Sequence, residues 1–292
     1  MRSQPSEYEL VSPGTLAGIL ELLHREPNGW LPVAGGTEVM VQYGAGRLAS
    51  HRLVNLWDIA ELRQITETSA ALTIGGGCTF TQLREHAVVQ QHFPLLAQAA
   101  SWTGSIANQN RATIAGNIVN ASPAADSAPA LLAYDAELEL ISTQGTRRIA
   151  YADFHLGYKK TALLPGELLL AIHLQKRFDG WFRYGQKTGT RNAQAISKIC
   201  VAGVGKLLDG HVEALHIGMG AVAPTPLRLL RTEESLLGSQ LTERAIANAC
   251  RVLDGEISPI DDIRSSQEYR RRVAANLLED LLQSLAASGE KV

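Results

Sequence analysis

The sequence predicts an α+β fold, in which strands and helices occur in clusters along the chain. The first half contains both short apolar segments bounded by glycine and helical patterns. In the second half, Asp209-Gly210 interrupts a long apolar run and signals an antiparallel hairpin. The 292 residues are 45% hydrophobic, enough to bury the cores of two domains. We place the boundary near residue 178, between domains 1–178 and 179–292, because the charged stretch QKRFDG interrupts the pattern there.

The first predicted element is a helix. Ser12 is a favoured N-cap residue, and Leu16, Ile19, Leu20 and Leu23 fall on one helical face. We therefore expect this helix to cover an apolar surface.

Short strands are predicted next. The segment WLPVAGG has the pattern of a strand that ends at Ala34, and residues 51–59 and 71–79 have strand composition. Thr79 and Gln82 have the spacing of a capping box, which predicts a helix directly after the last of these strands.

The remainder of the first domain mixes helices with irregular chain. Pro94 suits the first turn of a helix. Residues 104–126 are predicted to be mostly irregular, and a helix over about 127–134 then leads to a strand over 136–142.

The chain becomes helical after the hairpin of the second domain. Thr242 is predicted to cap one helix, and residues 265–287 are predicted to form the last one.

Charge and hydropathy exclude several classes of partner. The net charge of −2 gives no reason to expect nucleic acid or an anionic membrane surface. The N-terminal region is polar, and no run of about eighteen apolar residues occurs. We therefore expect a cytoplasmic protein that binds neither nucleic acid nor a membrane.

The chain has no evident metal-binding pattern. Its three cysteines, Cys78, Cys200 and Cys250, are far apart, and the eight histidines show no ligand spacing. An iron–sulfur cluster normally takes four cysteine ligands. We therefore expect no metal site within this chain.

Common catalytic and nucleotide-binding motifs are also missing. The sequence contains no P-loop, no G-x-G-x-x-G between a strand and a helix, and no G-x-S-x-G. No pair of residues stands out for acid–base chemistry, so no catalytic residue is predicted.

The binding hypothesis is based on two loops that are rich in small polar residues. Gly35, Gly36 and Thr37 follow a strand, and a second such loop runs from Thr113 to Asp126. Backbone N–H groups in glycine-rich loops can converge on a phosphate, and small residues allow the main chain to approach it. This favours a dinucleotide with a central diphosphate. The glycines at 75–77 are interpreted as an ordinary turn.

Several segments, taken in order, resemble one protein family. These are LPVAGGTEVMVQ, IGGGCTFTQL, NRATIAGNIVNASPAADSAPALLAYDAELEL, ISKICVAGV, GAVAPTPLR and SSQEYRRRVAANLLEDLL. Together they resemble the FAD-binding medium subunit of the molybdenum hydroxylases, and the layout is most similar to a bacterial xanthine dehydrogenase FAD-binding subunit. The resemblance implies a vanillyl-alcohol-oxidase (PCMH-type) FAD-binding domain of two subdomains. A smaller C-terminal domain of antiparallel strands and helices, like that of the carbon monoxide dehydrogenase flavoprotein, would follow it.

The resemblance also implies a set of FAD contacts. The two loops would hold the diphosphate, Asp126 would bond the flavin sugar hydroxyls, Leu169 would lie against the ring system and Lys187 would lie near it. The implied cofactor-binding residues are Val33, Ala34, Gly35, Gly36, Thr37, Glu38, Thr113, Ala115, Gly116, Asn117, Asp126, Leu169 and Lys187.

The resemblance implies a shared reaction as well. The FAD would be bound non-covalently, and [2Fe–2S] clusters and molybdopterin would lie on an iron–sulfur subunit and a large molybdopterin-binding subunit. Electrons would leave through NAD or another acceptor.

Two alternatives stay open at this point. A stand-alone flavin-dependent reductase would have the same fold. A flavin-free assembly protein is the other alternative, because Ala115 and Gln109 stand where the family pattern has glycine and arginine.

Overall fold

The computed structural model describes residues 4–191 and 194–289 and shows an α+β architecture, as predicted. Strands are numbered in chain order. They are β1 (Glu9–Val11), β2 (Leu31–Val33), β3 (Arg52–Asn55), β4 (Ile65–Glu67), β5 (Ala71–Gly75), β6 (Glu137–Ser142), β7 (Gly145–Ala150), β8 (His155–Gly157), β9 (Lys160–Thr161), β10 (Leu168–Gln175), β11 (Phe182–Thr188), β12 (Ile199–Leu208), β13 (His211–Gly220) and β14 (Leu227–Arg228).

Helices are numbered in the same way. They are α1 (Leu16–Arg25), α2 (Val39–Gly44), α3 (Phe80–Glu85), α4 (Ala87–His92), α5 (Pro94–Trp102), α6 (Ile106–Gln109), α7 (Ile114–Val119), α8 (Ala128–Ala133), α9 (Tyr151–Phe154), α10 (Leu230–Glu234), α11 (Glu243–Glu256) and α12 (Gln267–Gly289).

The strands form separate sheets. A small parallel sheet has the order β1-β3-β2, and an antiparallel sheet has the order β4-β5-β10-β6-β7. The C-terminal antiparallel sheet has the order β11-β12-β13-β14, and β8 pairs with β9 in a short hairpin.

Three apolar clusters hold these layers together. The largest lies between the β4-β5-β10-β6-β7 sheet and helices α3, α5 and α8, with Ile74, Phe80 and Tyr134 fully buried. A second cluster packs β12 and β13 against α11 and α12. The third joins α1 and the parallel sheet to β10 through Leu168. Each fully buried aliphatic or aromatic side chain contributes roughly 1.5–3 kcal/mol, so these clusters fix how the sheets lie.

Several local predictions are confirmed. Thr79 accepts a hydrogen bond from the Gln82 backbone N–H, and the Gln82 side chain accepts one from the Thr79 N–H, so the capping box opens α3. Asp209 and Gly210 both have positive φ, at 51° and 75°, and connect β12 to β13. Thr242 caps α11.

The predicted N-cap of the first helix was wrong. Thr15 accepts a hydrogen bond from Gly18 N–H at 3.1 Å and is the cap of α1. Gly14, at φ 81°, turns the chain between Ser12 and the helix, and the Ser12 hydroxyl instead accepts from the Asn55 side chain.

The prediction of irregular structure over 104–126 was also wrong in part. The segment contains α6 and α7, which are capped by Ser105 and Thr113. Both helices are very short, so no apolar periodicity in the sequence could reveal them.

The predicted boundary near residue 178 falls in a turn between β10 and β11. Phe178 itself is buried in the largest apolar cluster, so the turn is anchored rather than free. The boundary stays a prediction, and the outer ends of the two predicted domains, 1–3 and 290–292, lie outside the described residues.

A network of charges joins α8 to the C-terminal sheet. Asp135, directly after α8, pairs with Arg228 of β14, with Arg177 and with His216 of β13. Arg228 also pairs with the buried carboxylate of Glu233. Burial raises the pKa of Asp135, but the hydrogen bond from His216 and the charges of Arg228 and His216 outweigh it and lower this pKa to about 2.

We expect Asp135→Asn to lower stability at neutral pH by about 1 kcal/mol, since the carboxylate is partly exposed and solvent screens its charge. A depressed pKa stabilises the fold above the unfolded-state value and loses that contribution as pH falls. The native and variant unfolding curves should therefore converge between pH 3.8 and about 2. Urea denaturation at several pH values measures this. A difference in unfolding free energy between the two proteins that does not shrink as pH falls would contradict the prediction.

Candidate functional site

The two polar loops of the sequence lie directly against each other. A Cβ atom built on Gly35 would lie 1.8 Å from the backbone oxygen of Arg111, which precedes the second loop. Any side chain at residue 35 would therefore force the loops apart. The close approach explains why glycine is needed here.

The first loop offers unused backbone donors. Within the described residues, the N–H groups of Gly35, Gly36, Thr37 and Glu38 have no hydrogen-bond acceptor in the protein. Gly36 has φ 75°, a conformation that glycine adopts without strain. Consecutive N–H groups around a residue with left-handed backbone form a concave anion site. The loop therefore has the donors that a diphosphate needs.

The first part of the second loop, 114–117, uses its N–H groups within the protein. Ile114 N–H bonds Cys78 O, Ala115 N–H bonds Gly76 O, and Gly116 N–H bonds the Thr113 hydroxyl. The Asn117 N–H bonds Thr113 O. The second loop thus contributes a rigid surface and side chains, while the first contributes free backbone donors.

A third loop, at 75–77, completes this wall. Gly76 N–H bonds the Leu170 backbone oxygen at 2.8 Å, and Gly77 N–H bonds the Leu62 backbone oxygen at 2.7 Å. A Cβ on Gly76 would lie 2.5 Å from Leu169 O and 2.9 Å from the Ala115 methyl. The turn that the sequence predicts at these glycines is present, and the same glycines also pack the three loops together. The signal was the run of three consecutive glycines after a strand.

These loops form one side of a cleft of about 410 Å³ between the parallel sheet and β10. Predicted site residues that line it are Ala34, Ala115, Gly116 and Leu169. Apolar residues that the sequence did not indicate line the opposite side, and they include Trp30, Leu31, Pro32, Leu56, Leu62, Leu163, Leu164 and Pro165. They come from four separate segments, so only the fold brings them together.

Ala115 is accommodated in a regular conformation. It lies in the first turn of α7 without positive φ, and its methyl faces Gly76. At the other departure from the family pattern, the buried side chain of Gln109 accepts a hydrogen bond from Arg84 at 2.6 Å and donates one to Ser101 O. Arg84 therefore supplies a guanidinium beside the position where the family pattern has one.

We expect Ala115→Gly to lower stability by about 0.5–1 kcal/mol without tightening FAD binding, because it adds backbone freedom to a helix whose methyl is already accommodated. Thermal denaturation and flavin-fluorescence titration measure the two effects. A lower FAD dissociation constant in the variant would mean that the methyl obstructs the ligand.

A buried ion pair lies at the far end of the second loop. Lys187 Nζ of β11 is 2.7 Å from Asp126 Oδ2 and also donates to the Trp102 backbone oxygen at 3.0 Å. The Ser197 hydroxyl donates to Asp126 Oδ1 at 2.5 Å. Burial raises the pKa of Asp126, while the charge of Lys187 and the hydrogen bonds from Lys187 and Ser197 act against that rise.

The ion pair is connected to the second loop through neighbouring residues. Ser127, next to Asp126, donates its hydroxyl to the Asn117 side chain at 2.7 Å. Asn117 lies in α7, whose first turn lines the cleft. The structure thus places Asp126 and Lys187 together, and Asn117 between them and the cleft.

The other predicted contacts lie beside the first loop. Val33 ends β2, and Glu38 accepts a hydrogen bond from the Gln42 side chain and lies 3.8 Å from Lys159. Lys159 also bonds the Asn120 side chain at 2.6 Å, so its charge already has partners.

The described residues show neither a metal-ligand cluster nor a membrane-spanning helix. Across 4–191 and 194–289, no group of three or more His, Cys, Asp or Glu side chains is arranged to hold a metal ion. None of the helices in that part of the chain is both long and apolar enough to cross a membrane.

A cleft with free backbone donors between two sheets is the kind of site that holds a diphosphate nucleotide. The family model described as the FAD-binding domain in molybdopterin dehydrogenase matches residues 6–175. The model described as the CO dehydrogenase flavoprotein C-terminal domain matches residues 186–285. The chain therefore belongs to the family of FAD-binding chains of the molybdopterin dehydrogenases, and FAD is its cofactor.

Individual relatives agree with this assignment. The chain is 33% identical over 283 residues to the xanthine dehydrogenase FAD-binding subunit of Escherichia coli O157:H7, spanning 95% of this chain and 96% of that one. It is 26% identical to the glyceraldehyde dehydrogenase medium chain of Sulfolobus acidocaldarius, over 97% and 99% of the two chains. A carbon monoxide dehydrogenase structure from Hydrogenophaga pseudoflava superposes with a TM-score of 0.91 at 26% identity, covering 96% and 97%. The predicted fold class and cofactor are confirmed.

Proposed function

We propose that this chain is the FAD-binding subunit of a multi-subunit molybdenum hydroxylase of the xanthine dehydrogenase type. In such an enzyme, FAD takes electrons from iron–sulfur clusters on a partner subunit and passes them to NAD or another acceptor. The observation that carries the proposal is the first loop, in which 35–38 have free N–H groups directly after Ala34, a residue that lines the cleft, in a chain of this family. The 33% identity to a xanthine dehydrogenase subunit favours the xanthine type among the family's enzymes.

The protein's own contribution is to bind and orient the cofactor. The backbone of 35–38 would donate to the diphosphate, and Thr37 would add a hydroxyl. Ala115, Gly116 and Leu169 would form a closely fitting wall of small and apolar groups. All these contacts are non-covalent, so the FAD would be released intact when the chain unfolds.

The buried pair of Lys187 and Asp126 would set the electrostatics at the ring end of the cofactor. Lys187 is held by a carboxylate and a backbone oxygen, so its ammonium group cannot swing away without leaving Asp126 buried and unpaired. A fixed positive charge near the ring system favours a flavin that carries negative charge. A rigid charge that is shielded from water stabilises a nearby opposite charge more than a mobile surface charge does.

The partner subunits follow from what this chain lacks. Its cysteines are buried, or partly buried in the case of Cys250, and none lies in a ligand group within the described residues. The proposed partners are an iron–sulfur subunit carrying [2Fe–2S] clusters and a large molybdopterin-binding subunit.

The test is the composition of the native complex. The tagged chain is purified from its own host and separated by size-exclusion chromatography, with metal and flavin analysis of the peak. We expect FAD, iron and molybdenum to elute together with two further chains.

The two alternatives are outcomes of the same test. A monomer or homodimer with flavin but without iron or molybdenum would contradict the proposal and indicate a stand-alone reductase. A colourless complex would indicate a flavin-free assembly protein.

A further inference from the structure

Two arginines stack on one tryptophan, next in sequence to a residue that lines the cleft. The guanidinium carbon of Arg111 lies 3.7 Å from the Trp57 ring centroid, and that of Arg63 lies 4.3 Å from it. Arg63 also donates a hydrogen bond to the Trp57 backbone oxygen at 3.1 Å. Trp57 and Arg63 are six residues apart, whereas Arg111 comes from a distant part of the chain, so the fold completes this stack.

The stack adjoins two of the loops that form the site. The Arg111 backbone oxygen is the atom against which Gly35 of the first loop is packed. A Cβ on Gly77 would lie 3.3 Å from Arg63 Cγ, and Gly77 lines the cleft. Trp57 follows Leu56, another lining residue. Arg111 therefore adjoins the first loop through its backbone, and Arg63 adjoins Gly77, which lines the cleft.

Neither guanidinium has an acidic partner. Among the described residues, no carboxylate lies within ion-pair distance of Arg63 or Arg111, and the Arg111 guanidinium makes no hydrogen bond to the protein. The stacking fixes the plane of each group while leaving N–H edges free to donate. Two oriented cations without a counter-ion favour binding of an anion.

A diphosphate bound in the cleft needs a positively charged partner to balance its charge. A diphosphate carries negative charge, whereas the donors of the first loop are neutral. Within the described part of the chain, the one charged residue lining the cleft is Glu167, whose carboxylate is already paired with Arg147 at 2.7 Å. Neutral donors alone leave a buried anion poorly compensated. Arg63 and Arg111 are positively charged side chains without an acidic partner among the described residues, and they adjoin the loops that form the cleft wall.

We propose that Arg63 and Arg111, held on the Trp57 ring, bind the diphosphate of FAD from the rim of the cleft and neutralise its charge. The inference rests on the proposed function, because it takes FAD as the occupant of the cleft. The two arginine side chains neutralise the charge of the diphosphate, and the backbone N–H groups of 35–38 fix its position.

The test is the FAD dissociation constant of the flavin-depleted protein, measured by flavin fluorescence from low to high salt. We expect each arginine to lower the FAD dissociation constant about tenfold, the usual effect of one hydrogen bond to a charged group. We therefore expect Arg63→Gln with Arg111→Gln to weaken FAD binding about a hundredfold and to flatten its salt dependence.

Two control variants separate charge from folding. Arg63→Lys with Arg111→Lys keeps both charges and should retain most of the affinity and the salt dependence. Arg251→Gln removes an exposed charge from α11, in the C-terminal part of the chain, and should change neither. If the double Gln variant fails to fold, the FAD dissociation constants of the double Lys variant and of the two single Gln variants are compared instead.

An unchanged dissociation constant and salt dependence in the Gln variants overturns the inference. A raised KM for NADH in dye reduction, with FAD binding unchanged, also overturns it and assigns the stack to the nicotinamide dinucleotide. Failure of the unaltered protein to bind FAD at all contradicts the proposed function instead, so the two failures are distinguishable.

Discussion

Gly35→Ala is expected to weaken FAD binding by about a hundredfold, a loss of ~3 kcal/mol. The added methyl would overlap the Arg111 backbone oxygen, at 1.8 Å, and would also lie 2.5 Å from the Arg111 carbonyl carbon. Because backbone atoms cannot move aside as a flexible side chain can, the two loops must separate. The free N–H groups of 35–38 are then displaced relative to the second loop.

Gly44→Ala is the matched control. Gly44 ends α2, only a few residues further on, and a Cβ there meets nothing within 4 Å. Flavin fluorescence titration of both variants gives the comparison, with circular dichroism to show that each is folded. Normal FAD affinity in Gly35→Ala would mean that the junction of the two loops is not part of the binding site.

Lys187→Met is expected to destabilise the fold by about 3 kcal/mol, because removing one partner of a buried ion pair leaves an uncompensated charge. Lys187 and Asp126 side chains are only 11% and 9% exposed. In the variant Asp126 keeps the burial that raises its pKa and loses the charge that opposes it. A raised folded-state pKa favours the fold at low pH and weakens it as pH rises, so the variant should regain stability on acidification.

Lys206→Met is the control for a lost surface pair. Lys206 and Glu213 pair at 2.8 Å across β12 and β13, but their side chains are 48% and 39% exposed. Its loss should cost no more than about 1 kcal/mol. Equal destabilisation in the two variants, measured by urea unfolding, would contradict the account of a buried electrostatic centre at Asp126.

Local signals in the sequence predicted the elements that depend on neighbouring residues. The capping box at Thr79 and Gln82 and the hairpin at Asp209-Gly210 are set by contacts within a few residues, and the structure has both. The Ser12 cap was wrong because Thr15 was an equally suitable residue, and only the turn at Gly14 decides between them.

The candidate site was predictable where it depends on composition and not where it depends on packing. Free N–H groups at 35–38 follow from a glycine pair after a strand, which the sequence shows directly. The role of Gly76 and the apolar wall at Trp30 depend on contacts between distant segments. The pairing of Lys187 with Asp126 likewise joins a strand of the C-terminal sheet to the second loop. No spacing in a single sequence encodes such contacts, although the family resemblance brought both residues into the site.

The central claim is that the cleft beside 35–38 binds FAD non-covalently, and the absorption spectrum of the purified protein tests it most directly. We expect the two visible bands of oxidised flavin, a flavin-to-protein ratio near unity, and complete release of FAD into the supernatant after acid precipitation. Protein that is colourless and takes up no FAD on reconstitution, or flavin that stays with the precipitate, would contradict the account.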